Sequence, residues 1–116
     1  MTDQPLGSAS ELSKALSALA ATIDARVGAD PESSYTAKLL ADGPLRSGKK
    51  LAEEAVELAL AVAAEGEAEV AAEAADLLYH MFVALRARGL SLDAIAAALE
   101  ARQGISGLDE KAARTS

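Results

Sequence analysis

The residues best suited to chemistry in this 116-residue chain are two pairs of acids, Glu54-x-x-Glu57 and Glu73-x-x-Asp76. Side chains three apart on a helix are neighbours, so each pair puts two carboxylates on one helical turn. If the chain reverses near Glu65-Gly66, both pairs lie about 14 Å from the turn at roughly 1.5 Å per residue. Four carboxylates then reach the same height. At close range they raise one another's pKa values and oppose folding unless a cation compensates them. Oxygen ligands, with no thiolate available and no imidazole at the i+3 positions, select magnesium, with manganese possible, over zinc. Magnesium bridges protein acids to phosphates, polarises a phosphoryl oxygen and lowers the pKa of a bound water. Hydrolysis of a phosphoanhydride is the reaction class that suits this arrangement. Glu53, beside the first pair, either orients a further metal ion or accepts a proton from the attacking water, and spacing does not choose between the two.

A plainer reading of the same residues exists. Adjacent glutamates with Lys49 and Lys50 one turn upstream also describe a solvated face carrying helix ion pairs, each worth roughly a few tenths of a kcal/mol. The apolar character of the rest of that helix and the matched heights of the two pairs favour a site. His80, four residues after Asp76, could serve a ligand or be one, although a histidine inside a helical bundle is more often a hydrogen-bonded packing residue.

The elements that must position these acids read as helices. Ser8-Ala9-Ser10-Glu11 has the spacing of a capping box, and Leu12, Leu16, Leu19, Ile23 and Val27 follow at helical intervals until Gly28 and Pro31. Ser33 or Ser34 caps a short helix through Tyr35, Leu39 and Leu40 that stops at Asp42-Gly43-Pro44. From about Arg46 to Glu65 the apolar residues cover nearly the whole circumference. Leu51, Ala55, Leu58 and Val62 lie on one line, and Lys50, Glu53, Glu54 and Glu57 share the remaining wedge. Such a helix is expected to be covered on several sides. After Gly66 a second long helix runs to about Arg88 and closes on Gly89, with Val70, Ala74, Leu77, Met81 and Leu85 as its packing stripe. Ser91 caps a last helix bearing Leu92, Ile95 and Leu99. The expectation is an all-α bundle of four main helices plus one short helix, with a single domain over 8–103 and flexible termini at 1–7 and 104–116.

Composition sets the limits. Apolar residues make up 51% of the chain and aromatics 3%, so the core is built from Ala, Leu, Val and Ile, which favours close helices over a sheet. The net charge of −7 argues against nucleic acid as a partner, since that calls for a basic surface. There is no cysteine, no apolar run of the roughly 20 residues a membrane span needs, and no signal-like N-terminus. A soluble cytoplasmic protein with no membrane partner is expected.

Three blocks, Ser33-Ser34-Tyr35-Thr36-Ala37-Lys38-Leu39-Leu40, Lys50-Leu51-Ala52-Glu53-Glu54-Ala55-Val56-Glu57 and Glu73-Ala74-Ala75-Asp76-Leu77-Leu78-Tyr79-His80, resemble those of the phosphoribosyl-ATP pyrophosphohydrolase family. The resemblance runs from about Leu12 to Arg102. The acid pattern alone is shared with the wider MazG-like all-helical pyrophosphohydrolases, and the SSYTAKLL and ADLLYH blocks are the more specific marks. The resemblance implies magnesium-dependent hydrolysis of phosphoribosyl-ATP to phosphoribosyl-AMP and pyrophosphate, the second step of histidine biosynthesis. It implies Glu54, Glu57, Glu73 and Asp76 as metal ligands and Glu53 as an accessory, with Glu53, Glu54 and Glu57 counted as catalytic. Lys38, Arg46 and Lys50 fall where the family carries basic residues and are candidates for holding phosphates, although Lys50 could instead pair with Glu54. Tyr35 and Thr36 are candidates for touching substrate or positioning Lys38. Ala52 departs from the Gly usual before the paired glutamates. The cyclohydrolase domain that some relatives carry as a fusion is not seen, so the next step is expected on another polypeptide.

Relatives assemble as dimers, and the sequence gives its own reason to expect a homodimer, because the long helices carry apolar residues on more faces than one chain can cover. Three other readings compete. A related pyrophosphohydrolase would act on an ordinary or damaged nucleoside triphosphate. A di-iron carboxylate protein would need Glu-x-x-His on each of two helices, which is absent here. A non-catalytic module would use the acidic strip to meet a basic partner.

Overall fold

The computed structural model describes residues 4–103 and Arg114. The expected flexible segment 104–116 therefore lies, Arg114 aside, outside the described residues, as do residues 1–3. Among the described residues every regular element is a helix: α1 (Ser10–Ala25), α2 (Tyr35–Asp42), α3 (Pro44–Ala64), α4 (Glu67–Arg88) and α5 (Leu92–Ala101). The all-α expectation and the count of five are met.

Local chemistry sets most of the helix ends. Ser34, in extended backbone, accepts from the Ala37 N–H at 3.2 Å and caps α2, while Ser33 is used one turn earlier, bonding the Asp30 carbonyl. Gly43, at a φ of 92°, separates α2 from α3, and Pro44 opens α3, where its missing N–H costs nothing. α4 ends on Gly89 in the left-handed region. The Gly89 N–H reaches Arg86 and the Leu90 N–H reaches Leu85, which satisfies two terminal carbonyls. Ser91 caps α5 through the Asp93 N–H. The capping box expected at the first helix does not form. Its N-cap is Ala9, with no side-chain cap bond; the Ser8 hydroxyl accepts from the Ser10 N–H, and Glu11 pairs with Lys14 at 3.4 Å.

α3 and α4, joined through Glu65 and Gly66, pack against each other as a hairpin. α2 touches both, α1 lies on α4, and α5 makes little contact with the rest. The core sits at the far end of the hairpin from its turn. Ile23, Leu39, Phe82 and Val83 are buried there, with Leu16, Leu19, Leu40, Tyr79 and Met81 packed around them.

Two sequence expectations about burial are corrected. α3 is not covered on several sides within one chain: Val56, Leu60 and Val62 are 60%, 61% and 66% exposed. The expected line through Leu51, Ala55, Leu58 and Val62 is not the inward one, since Ala55 and Val62 are exposed. The inward side runs through Ser47, Glu54, Leu58 and Ala61, which fall within about 60° of one another at roughly 100° per residue. On α4 the expected stripe is half-buried throughout, and the buried residues are His80, Phe82 and Val83.

Candidate active site

Ser47 shows how α3 is set. It is 1% exposed, and its hydroxyl donates to the Leu39 carbonyl at 3.1 Å, tying α3 to the last turn of α2. Glu54 stands two turns further along the same side and therefore turns toward α4. Glu54 and Glu57 of α3 and Glu73 of α4 each offer a carboxylate oxygen, and these oxygens all lie within 4.8 Å of one another. Asp76 is exposed and stands outside that trio, but its charge reaches both Glu54 and Glu73. Both acids of the first pair and Glu73 of the second come together across the hairpin, and Asp76 does not join them.

Among the described residues, the protein leaves part of the cluster without a partner. Glu54 and Glu73 are half-buried, and the Oε2 atom of each is buried with no hydrogen-bond partner. Burial raises the Glu54 pKa first, followed by its contact with the Glu57 carboxyl and that group's charge, while His80 opposes the shift. Burial likewise raises Glu73, followed by the charges of Glu57, Asp76 and Glu54. Carboxylate oxygens withdrawn from water without a donor, beside like charges, are costly. A hard divalent cation is the group that an all-oxygen set of this kind fits.

The neighbouring charges take other roles. Lys50 pairs with Glu53 at 3.1 Å and not with Glu54. That hydrogen bond is the first cause holding the Glu53 carboxyl below its usual range and the Lys50 ammonium above its own. Lys38 pairs with Asp42 at 3.7 Å on the exposed side of α2. Arg46 is exposed and lines a shallow depression with Asp42, Leu45 and Lys49. Neither Lys38 nor Arg46 is brought onto the acids. Thr36 turns toward α4 and hydrogen-bonds the Tyr79 hydroxyl, and Tyr35 stacks on Tyr79 with ring centroids 6.5 Å apart. Ala52 is exposed, so the departure from Gly leaves the cluster untouched.

Sequence reasoning gave no role to Ser47 or Tyr79. A polar residue two turns before Glu54 on an otherwise apolar helix is the signal that could have marked Ser47. A cleft of about 500 Å³ lies between α1 and the end of α4, lined by Ile23, Phe82, Leu85 and Leu92 with the Arg86–Asp24 pair at 2.8 Å. It does not include the acids.

The model of the phosphoribosyl-ATP pyrophosphohydrolase family matches residues 16–103. The chain is 57% identical over 103 residues to a phosphoribosyl-ATP pyrophosphatase of Caulobacter vibrioides (strain NA1000 / CB15N), covering 89% of this chain and 95% of that protein. It is 56% identical over 100 residues to one of Rhodobacter capsulatus, covering 86% and 97%. With one of Cereibacter sphaeroides (strain ATCC 17029 / ATH 2.4.9) the identity is 54% over 99 residues, covering 85% and 96%. The match spans Glu53, Glu54, Glu57, Glu73 and Asp76 and the blocks that carry Tyr35 and Tyr79, and this chain belongs to the phosphoribosyl-ATP pyrophosphohydrolase family.

Proposed function

We propose that the chain hydrolyses phosphoribosyl-ATP to phosphoribosyl-AMP and pyrophosphate in a magnesium-dependent reaction, the second step of histidine biosynthesis. The single observation that carries this reading is the pair of buried, unpartnered oxygens of Glu54 and Glu73 inside an acid trio, in a chain whose relatives bear that enzyme's name. Glu54, Glu57 and Glu73 would hold the ion, with Asp76 at its edge. Bound there, magnesium supplies the positive charge an anionic substrate needs and activates phosphorus toward water; manganese is the substitute.

With the other acids committed to the ion, Glu53 is left to take the proton of the attacking water, and its pair with Lys50 keeps it ionised. Water's oxygen ends on one phosphate product as the anhydride bond to the other breaks. Lys50, Lys38 and Arg46 hold phosphates, the last two after leaving their present surroundings, and Tyr35 and Thr36 present the α2 face to substrate. The catalytic domain is residues 8–103, and the location is cytoplasmic. The working unit is a homodimer, because Val56, Leu60 and Val62 leave an apolar face of α3 open to a second copy.

The deciding experiment measures pyrophosphate release from phosphoribosyl-ATP and from a panel of nucleoside triphosphates, with magnesium and with a chelator. Magnesium-dependent turnover favouring phosphoribosyl-ATP is expected. A clear preference for a triphosphate assigns the chain to the related house-cleaning hydrolases. Light scattering of wild type and Leu60→Glu tests the dimer, with the variant expected to be monomeric. Iron ligation is disfavoured by His80, whose two ring nitrogens already have partners at Asp76 and Tyr35.

A further inference from the structure

One turn beyond the acids, α4 carries a cluster of different character. His80 is 8% exposed, and its Nδ1 lies 2.8 Å from the Asp76 carbonyl. A carbonyl only accepts, so Nδ1 carries the proton and, in the neutral ring, Nε2 is an acceptor. The Tyr35 hydroxyl, 3.4 Å from Nε2, is its donor. Tyr79 braces the pair: its ring meets His80 edge-on with centroids 4.9 Å apart, stacks on Tyr35, and its hydroxyl engages Thr36. Tyr35 is nevertheless 52% exposed. One edge of its phenol is fixed inward and the remainder faces solvent.

We propose that His80 is a positioning residue: it accepts a hydrogen bond from the Tyr35 hydroxyl while donating to the Asp76 backbone, and so holds the α2 phenol over α4, one turn beyond the acids, with its oxygen able to accept a further hydrogen bond. This rests on the hydrolase reading above. A hydroxyl that gives its proton to His80 cannot donate to a phosphate oxygen. It can accept from an O–H group, either a sugar hydroxyl of the substrate or a water on the metal. A histidine serving packing alone would need no bond from an exposed tyrosine on another helix.

The test is a double-mutant cycle of Tyr35→Phe and His80→Phe, with His80→Gln as the conservative variant whose amide oxygen can take the place of Nε2. Each Phe variant is expected to lower kcat/KM about tenfold, the size of one hydrogen bond. The double variant should lose no more than either single one, and His80→Gln should recover most of the loss. A rise in KM at saturating magnesium identifies a sugar hydroxyl as the donor, and a rise in the magnesium needed for half-maximal rate identifies a metal-bound water. Losses that multiply to about a hundredfold, or a His80→Phe effect that Tyr35→Phe does not share, overturn the proposal. If wild type does not hydrolyse phosphoribosyl-ATP, the functional reading fails by itself. The Tyr35–His80 coupling is then read from thermal melts of the same four proteins, where additive losses overturn it.

Discussion

Adjacent turns of α4 treat their polar atoms in opposite ways. At Glu73 a carboxylate oxygen is buried with no partner, facing the equally unpartnered Glu54 across the hairpin. At Tyr79 and His80 the side-chain polar atoms are bonded, to Thr36, Tyr35 and the Asp76 carbonyl. Glu73 and Tyr79 are both half-buried and His80 is buried, so burial alone does not explain which turn is left incomplete. What differs is whether the protein supplies the counterpart. A turn that satisfies itself makes a rigid support, and one that does not leaves room for a ligand to complete it.

The largest expected effect follows from breaking the incomplete turn. Glu54→Gln or Glu73→Gln should lower phosphoribosyl-ATP turnover by about a hundredfold or more, since each removes a proposed ligand of the activating ion. The same variants should melt about 3 °C higher than wild type when magnesium is absent, because a desolvated charge beside like charges has gone. Opposite signs for activity and metal-free stability mark a site held against folding. If both fall together, the acids are structural.

Asp76 sharpens the comparison within the cluster. It is exposed and outside the trio of close oxygens, so Asp76→Asn should cost about tenfold in turnover, less than either glutamate. It should raise the metal-free melting temperature by less than either glutamate variant does, since its own charge is exposed and only its repulsion of Glu54 and Glu73 is relieved. A loss equal to that of Glu73→Gln would mean that Asp76 moves inward when the ion binds.

Much of this was legible in the sequence where the signal is local. Ser34, Gly66, Gly89 and Ser91 mark helix ends within a turn of where they lie, because caps and turns are decided by a few consecutive residues. The acid pairs were legible for the same reason: i, i+3 spacing and equal distance from one turn fix their heights. The rotation of α3 was not. Ala, Leu and Val nearly surround it, so periodicity cannot say which side is inward, and the answer came from Ser47 meeting a carbonyl of another helix. The aromatic supports were also hidden, since Thr36 with Tyr79 and Tyr35 with His80 are pairs 43 and 45 residues apart. No short-range pattern announces such contacts.

The pH dependence of stability reports on the incomplete turn. Glu54 and Glu73 have raised pKa values in the folded, metal-free protein, so between the ordinary value of 4.5 and the folded value the native state binds more protons than the unfolded one. Stability therefore falls as pH rises through that window, and the full penalty applies at neutral pH. Metal-free protein should melt a few degrees higher, about 3 °C, at pH 5 than at pH 7. Magnesium at pH 7 should abolish the difference. The Glu54→Gln, Glu73→Gln double variant should flatten the profile without it, and a profile unchanged by that variant would place the titration elsewhere.

The smallest effect concerns the support that aims the incomplete turn. Ser47→Ala removes a buried hydroxyl and leaves the Leu39 carbonyl without its side-chain donor, at a cost of about 1 kcal/mol. Chemical denaturation should show that loss as a lower midpoint with an unchanged slope. The physical point is rotational: with Ser47 unbonded, the apolar surface of α3 offers several near-equivalent ways to lie on α4, and only one turns Glu54 toward Glu73. Ser47→Ala should thus weaken magnesium activation by about two- to threefold, although Ser47 is two helical turns from the nearest proposed ligand. A stability loss with unaltered magnesium activation would show that packing elsewhere on the hairpin already fixes the rotation.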